Sequence, residues 1–522
     1  MRDERAGARM TRREALGVLP LVPALATGLV SGVTRRQASA ANRGGRLVAG
    51  LPVDILNYDP FLGAVGTHQY MLARGIFETL TRYNEKLEPQ PELATSWNIS
   101  DNGLQLTLNL RKGTKFHSGR EFTADDVVFS LRTVQDPKYA ALNRPLALPL
   151  TAEAKDKYTV TLSTEKPYAA IFDALDGLFI VDRDTAEPGF PQKAVGTGPF
   201  KQGQRVPGDF ARFERFDDYW GGPAPLDGFE LRPVPDLSAL AISLESGALD
   251  VAWRLSYPDY VRLRNTGKFQ VLPGAPAASY YDLTLNTTTP VFKDKRVRQA
   301  IYQALDMEAI KSRIMGGTSH IAGTMVAPGI NGYDAKLDVR LPFNPDASKK
   351  LLAEAGYPSG FEIGMDCPND RYVNDEKICQ AIVGMLARVD IKVNLLAQTR
   401  TKYFEKILSR NTTFSILGWQ PLSYDAHSTL QDVINTPVDK VGTYNVGSFS
   451  NARIDALTNQ IEVEGDPAKR QALISEALGM HKAEIGHIPL HQAGLAWGVR
   501  KGVSVVLRND DSLELRWVKV ED

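Results

Sequence analysis

Residues 93–131 read LATSWNISDNGLQLTLNLRKGTKFHSGREFTADDVVFSL, and no other stretch of the chain says as much about its fold. Leu104, Leu106, Leu108 and Leu110 alternate with Gln105, Thr107, Asn109 and Arg111, the period of two that buries one face of a strand. Asp101-Asn102-Gly103 supplies a turn before the strand and Lys112-Gly113 one after it. Thr123 then stands ahead of Asp125, Asp126 and the apolar Val127, Val128, Leu131 and Val134, which is how a capped, acid-started amphipathic helix begins. The stretch is predicted to form turn, strand, turn and helix.

Its fixed spacings are Trp97, Ser100, Asp101 and Gly103, then Leu-Arg-Lys-Gly at 110–113, Phe-His-Ser-Gly at 116–119 and Phe-Thr-Ala-Asp-Asp-Val at 122–127. This closely resembles the signature of the extracellular solute-binding protein family 5, the dipeptide and oligopeptide receptors of ABC importers. Val195-Gly196-Thr197-Gly198-Pro199-Phe200, the Asp-Tyr-Trp-Gly-Gly at 218–222 and the Leu-Asp-Gly at 226–228 continue it, and the likeness runs from about Gly45 to the end. In that family the opening stretch is scaffold, so the resemblance implies that His117 and Asp125 are turn and helix-cap residues. It further implies an α/β, two-lobed periplasmic-binding-protein fold of type II, of the large cluster with an extra subdomain, with a ligand cleft between lobes that closes by hinge motion. The implied protein is no enzyme, needs no cofactor and works as a monomer, handing a small solute, expected to be a peptide, to the importer's permease subunits. Rival readings are a non-peptide solute, such as a metal chelate, an oligosaccharide or an opine-like compound, and a secreted hydrolase.

Composition agrees with a binding protein of two or three domains. Lys plus Arg and Asp plus Glu both total 61 in 522 residues, so no basic excess points to a nucleic acid. Arg12 and Arg13 precede an interrupted apolar run, and Ala38-Ser39-Ala40 is a small-residue cleavage site. Residues 1–40 are therefore predicted to be a signal peptide of the twin-arginine type, with export to the periplasm and no lipid anchor, since no Cys lies near the cleavage site. Translation can start at Met1 or Met10. Cys367 and Cys379 are the two cysteines, and either a disulfide or a buried unpaired arrangement fits the sequence.

Further along, the chain opens with a predicted strand at 46–51 and a short helix near 73–80. Asp294, Asn344-Pro345 and Asp466-Pro467 each announce a helix, and strands at 362–366 and 391–396 flank a helix around 380–389 as a β-α-β unit. Final strands are predicted at 503–507 and 513–520. These give a first domain from 41–279 and 491–522 and a second from 280–490. The phosphate-cradle patterns are absent, and Pro199 removes a donor such a loop would use. His481, His487 and His491 with Glu484 have the look of metal ligands, but Pro489 interrupts any helix joining them, and a structural role is expected.

Binding candidates follow from strand ends. Trp419 closes the apolar run Phe414-Ser415-Ile416-Leu417-Gly418, and Asp425 follows in the next loop, a pairing suited to capture of an amine beside an apolar surface. The family resemblance implies that this loop faces the cleft and that its Asp binds a peptide's amino terminus, although Tyr424-Asp425-Ala426 departs from the usual Asp-Pro and weakens the case for a dipeptide. Arg371 is a candidate fork for a carboxylate, with an exposed loop role as the alternative. Tyr444 and Asn445 lie in a loop that the resemblance directs at the cleft, Trp253 and Tyr257 are a candidate aromatic wall, and Tyr58, Asp59, His68 and Tyr70 are implied to lie toward the cleft.

Overall fold

The alternating leucines behave as their period requires. Strands Ala94–Ile99, Gln105–Leu110, Thr159–Ser163 and Thr151–Asp156 form an antiparallel sheet in that order. Leu106, Leu108 and Leu110 are buried in it, each such burial stabilising by about 1.5 to 3 kcal/mol. Helix Ala124–Gln135 begins where expected, and its Val127, Leu131 and Val134 are buried. The Thr123 N–H donates to Asp126 Oδ2 at 2.9 Å. Asp126 does more than cap: Arg120 binds it at 2.5 Å and Asp182 at 2.6 Å, a buried ionic junction with no local sequence signal.

The computed structural model describes residues 45–521 apart from 56, 62–66, 85–87, 140, 142, 187–192, 274–279, 422, 493, 495 and 507–512, with backbone alone at 67–71. The expected signal peptide lies outside the described residues. Among them no helix is long and apolar enough to cross a membrane.

His117 ties two signature motifs together. Its Nδ1 accepts the Gly196 N–H at 3.3 Å and its Nε2 donates to the Gly198 carbonyl at 2.9 Å, which fixes a neutral tautomer, and burial pushes its pKa down to about 4. Both glycines press on the end of helix Thr67–Ile76: a Cβ on Gly196 would fall 2.1 Å from the Ile76 carbonyl oxygen. The Gly-Thr-Gly-Pro motif is thus a close-packing device.

Two larger sheets carry the lobes. Among the described residues one has seven strands in the order Phe269–Pro273, Ala496–Arg500, Val251–Ala252, Arg46–Leu51, Gly228–Pro233, Phe210–Arg215 and Phe200–Val206. The other has six, in the order His320–Ile321, His487–Gln492, Tyr280–Leu285, Phe414–Trp419, Phe361–Pro368 and Ile391–Gln398. The β-α-β unit is present, with Phe361–Pro368 and Ile391–Gln398 parallel and helix Asp375–Ala387 between them. Cys367 and Cys379 form a disulfide that pins this helix to the strand. The caps also form: Asp294 accepts from Arg296 N–H, Asn344 from Ala347 N–H, and Asp466 from the N–H groups of Ala468 and Lys469.

The C-terminal prediction needs correction. Residues 513–520 are not one strand: Leu515–Trp517 is a 3₁₀ turn, and of this stretch Lys519–Val520 alone forms a strand, paired with Val503–Ser504. Strand Ala496–Arg500, between two neighbours in the first sheet, was not anticipated. The histidines are internal. His481 Nε2 and His487 Nδ1 share a 2.9 Å hydrogen bond, and burial lowers the pKa of both.

Candidate functional site

In open α/β sheets ligands bind beyond the carboxyl ends of the parallel strands, and both sheets supply such an edge. In the first, Arg46–Leu51 runs parallel to Gly228–Pro233 and to Val251–Ala252. In the second, Phe361–Pro368 runs parallel to Ile391–Gln398 and to Phe414–Trp419, so its edge carries Arg371, Tyr372 and Trp419. The two lobes meet beside this edge. The Tyr424 N–H donates to Asp173 Oδ1 at 3.1 Å, the Tyr83 hydroxyl donates to the same oxygen at 3.2 Å, and the Tyr83 and Tyr424 rings meet edge-on at 5.6 Å. Burial, reinforced by the nearby charge of Asp425, pushes Asp173 up to about 8. Gly316 also packs on Tyr257 so closely that a Cβ there would fall 1.5 Å from the ring.

The edge of the second lobe is aromatic with one cation. The rings of Trp419 and Tyr444 lie 4.5 Å apart at 52°. Trp419 is 8% exposed and its Nε1 donor is shielded without a hydrogen-bond partner. Tyr372 is tied to the same strand, its hydroxyl accepting the Gly418 N–H at 2.9 Å, and its ring contacts that of Tyr281 at 5.0 Å. Arg371 is exposed. Its backbone N–H is anchored on Asp375 Oδ2 at 3.0 Å, its guanidinium lies 5.1 Å from the Tyr372 ring centre, and it has no ion pair among the described residues. The arrangement offers a planar cation and an open indole donor beside apolar ring faces.

The family pattern of bacterial extracellular solute-binding proteins, family 5 middle, matches residues 88–437, two thirds of the chain. The chain belongs to family 5 of these proteins. Among relatives of known name, it is 28% identical over 475 residues to heme-binding protein A of Haemophilus influenzae, covering 84% of this chain and 86% of that one. It is 25% identical over 500 residues to the glutathione-binding protein GsiB of Escherichia coli, with 92% and 94% covered. It also superposes with a TM-score of 0.77 and 25% identity on the periplasmic binding protein DppA of Helicobacter pylori in complex with the peptide STSA, covering 92% and 99%. The protein is therefore a periplasmic solute receptor of an ABC importer with the two-lobed fold.

In this family 5 receptor several of the expected ligand contacts are engaged within the protein itself. Asp425, the expected amine anchor, is buried with both oxygens occupied: Arg470 forks it at 2.6 and 2.8 Å, Asn331 Nδ2 donates at 2.7 Å and the His427 N–H at 2.8 Å. An ammonium ligand would find no open lone pair there. Asn445 is likewise spent. Its amide donates to the carbonyls of Ile434, Asn435 and Phe449 and accepts the Phe449 N–H, so it holds its own loop together. Trp253 belongs to the first lobe's core against Trp497, with Arg254 stacked on it at 4.3 Å. Tyr58 and Asp59 are buried too, Tyr58 edge-on to Phe213. Tyr70 and His68 lie on helix Thr67–Ile76, and their side chains are outside the described residues. Tyr281, Tyr372 and the Tyr83–Asp173–Tyr424 contact were not singled out in the sequence. Tyr372 had one available signal, its place beside Arg371 after a strand.

Proposed function

We propose that the ligand is a small carboxylate-bearing solute, its carboxylate held by the Arg371 fork and its body packed on Trp419, Tyr444 and Tyr372. The observation that carries this reading is an unpaired guanidinium at the strand edge, while the one acidic candidate nearby, Asp425, is consumed by Arg470. Heme, glutathione and the STSA peptide, named for the relatives, all bear carboxylates. A peptide falls in this class through its C-terminus, not through an amine anchor. Mass spectrometry of the solute retained on purification identifies the ligand, and calorimetry of Arg371→Gln with it tests the contact. A charge pair desolvated by cleft closure costs about 2 to 5 kcal/mol to truncate. Allowing for the partial exposure of Arg371, the variant should bind about 10- to 100-fold more weakly. Unchanged affinity would remove Arg371 from the site.

The lobe assignment proposed here is 41–279 with 491–522 for the first and 280–490 for the second, which the strand membership of the two sheets supports except at 491–492, where strand His487–Gln492 belongs to the second sheet. Export is proposed to follow the twin-arginine route with cleavage after Ala40. A receptor that recognises paired guanidinium groups should reject ammonium groups. Changing Arg12 and Arg13 to Lys should leave precursor in the cytoplasm, and normal processing of that variant would assign the general secretory route instead.

A further inference from the structure

A second concavity lies in the first lobe, away from the strand edges just described. The Tyr219-Trp220-Gly221-Gly222 turn, the hairpin of Thr81–Tyr83 with Pro89–Pro91, and the 3₁₀ turn Leu515–Trp517 enclose a cavity of about 340 Å³. That volume lies at the small end of the range for ligand sites. Its walls include Pro91, Pro199, Pro223, Trp220, Trp517 and Arg82. The side chains of adjacent strand residues point to opposite faces, so Tyr83 reaches the lobe contact while Arg82 turns to the cavity.

Among the described residues the ion pairs of this wall leave Arg82 out. Arg516 is ion-paired, with its Nη1 on Glu92 at 2.8 Å and 3.7 Å from Glu78, and its Nε 3.6 Å from Glu514 without a hydrogen bond among the described residues. Glu78 accepts from the Tyr219 hydroxyl at 2.8 Å and from Trp220 Nε1 at 2.9 Å, and Glu92 accepts from Thr79 N–H and hydroxyl at 2.9 and 2.7 Å. Glu78 and Glu92 thus have donors of their own. Arg82 pairs with neither: its guanidinium lies 5.0 Å from the Trp517 ring centre, its Nη1 is shielded from solvent without a hydrogen-bond partner, and it makes no ion pair among the described residues. Burial and the like charge of Arg516 lower its pKa, and the more distant charges of Glu92 and Glu514 offset part of that. On the facing wall Arg111 stacks on Trp220 at 3.6 Å, and Glu78 bonds its ring nitrogen, so that indole is fixed in place. A guanidinium with an open donor beside indole and proline faces suits a planar organic anion.

We propose that this cavity is a second binding site, for a small organic carboxylate with a flat apolar body, its carboxylate on Arg82 and its body against the indoles of Trp517 and Trp220. Benzoate and its neutral amide, benzamide, are the probes. Benzoate should bind the mature protein saturably and at least about tenfold more tightly than benzamide, since a charged acceptor is the stronger partner for a guanidinium. It should shift the indole N–H resonances of Trp220 and Trp517. Arg82→Gln should lower benzoate affinity at least about tenfold with no loss of melting temperature, because Arg82 makes no ion pair among the described residues for the change to break, and Arg371→Gln should leave benzoate binding unchanged. The absence of saturable binding to the wild type, equal binding by Arg82→Gln, or unmoved Trp220 and Trp517 resonances would each overturn the proposal. Loss of benzoate binding in Arg371→Gln alone would place the probe in the inter-lobe cleft and overturn it equally, while leaving the reading of Arg371 intact.

Discussion

Arg470→Met should cost the second lobe about 3 to 5 kcal/mol of stability, the penalty for leaving a buried carboxylate without its partner. The pair is closed to solvent, with side-chain exposures of 9% for Arg470 and 6% for Asp425. Two neutral donors, Asn331 Nδ2 and the His427 N–H, would remain on Asp425, and they cannot neutralise it. The Asp425 loop also carries Tyr424, which meets Asp173 across the lobes, so the loss should propagate to the contact between them. Removing both charges is the informative control. Asp425→Asn combined with Arg470→Met should recover most of the loss, since a buried pair replaced as a unit is often neutral. Denaturant unfolding followed by Trp fluorescence reads all three variants. An Arg470→Met protein within about 1 kcal/mol of wild type would mean that water reaches Asp425, and the amine-anchor role would reopen.

The second large effect is expected at the disulfide. Cys367 ends strand Phe361–Pro368, Cys379 lies inside helix Asp375–Ala387, and the bridge spans 12 residues of sequence that include Arg371 and Tyr372. Cross-linking a loop of this size removes denatured-state freedom worth about 3 kcal/mol. Replacing both cysteines by alanine should lower stability by about that much. It should also weaken ligand binding severalfold, because the segment carrying Arg371 then has to be ordered at the moment of binding. Urea titration and calorimetry on the same preparation separate the two effects. A variant that unfolds at the wild-type urea concentration would show the bridge to be energetically idle.

The sequence revealed what periodicity and caps encode. The leucines at 106, 108 and 110 announced their strand because only one register buries them all, and Asp294, Asn344 and Asp466 announced helices because a cap is a local bond. The partner of Asp425 was hidden for the complementary reason. A carboxylate after a strand-ending Trp looks the same whether its cation arrives with a ligand or from Arg470, 45 residues further on. The surroundings of Trp253 were hidden alike, because its burial against Trp497 is set by a contact distant in sequence. Pairing of the cysteines needed the 6.6 Å separation of their Cα atoms, which no spacing rule supplies across a loop of unknown path. Strand Ala496–Arg500 was hidden because both its neighbours, Val251–Ala252 and Phe269–Pro273, come from more than 200 residues earlier.

The imidazole of His117 bears on what a family signature records. One ring is bonded to Gly196 and Gly198, so the Phe-His-Ser-Gly and Gly-Thr-Gly-Pro words of the pattern are the two ends of a single contact, written about 80 positions apart. Neither word can drift alone without orphaning the other's backbone groups. Such a pattern spells a joint inside one lobe and makes no contact that reads the solute. The joint therefore carries no information on cargo, which has to be sought in the side chains that it leaves unconstrained.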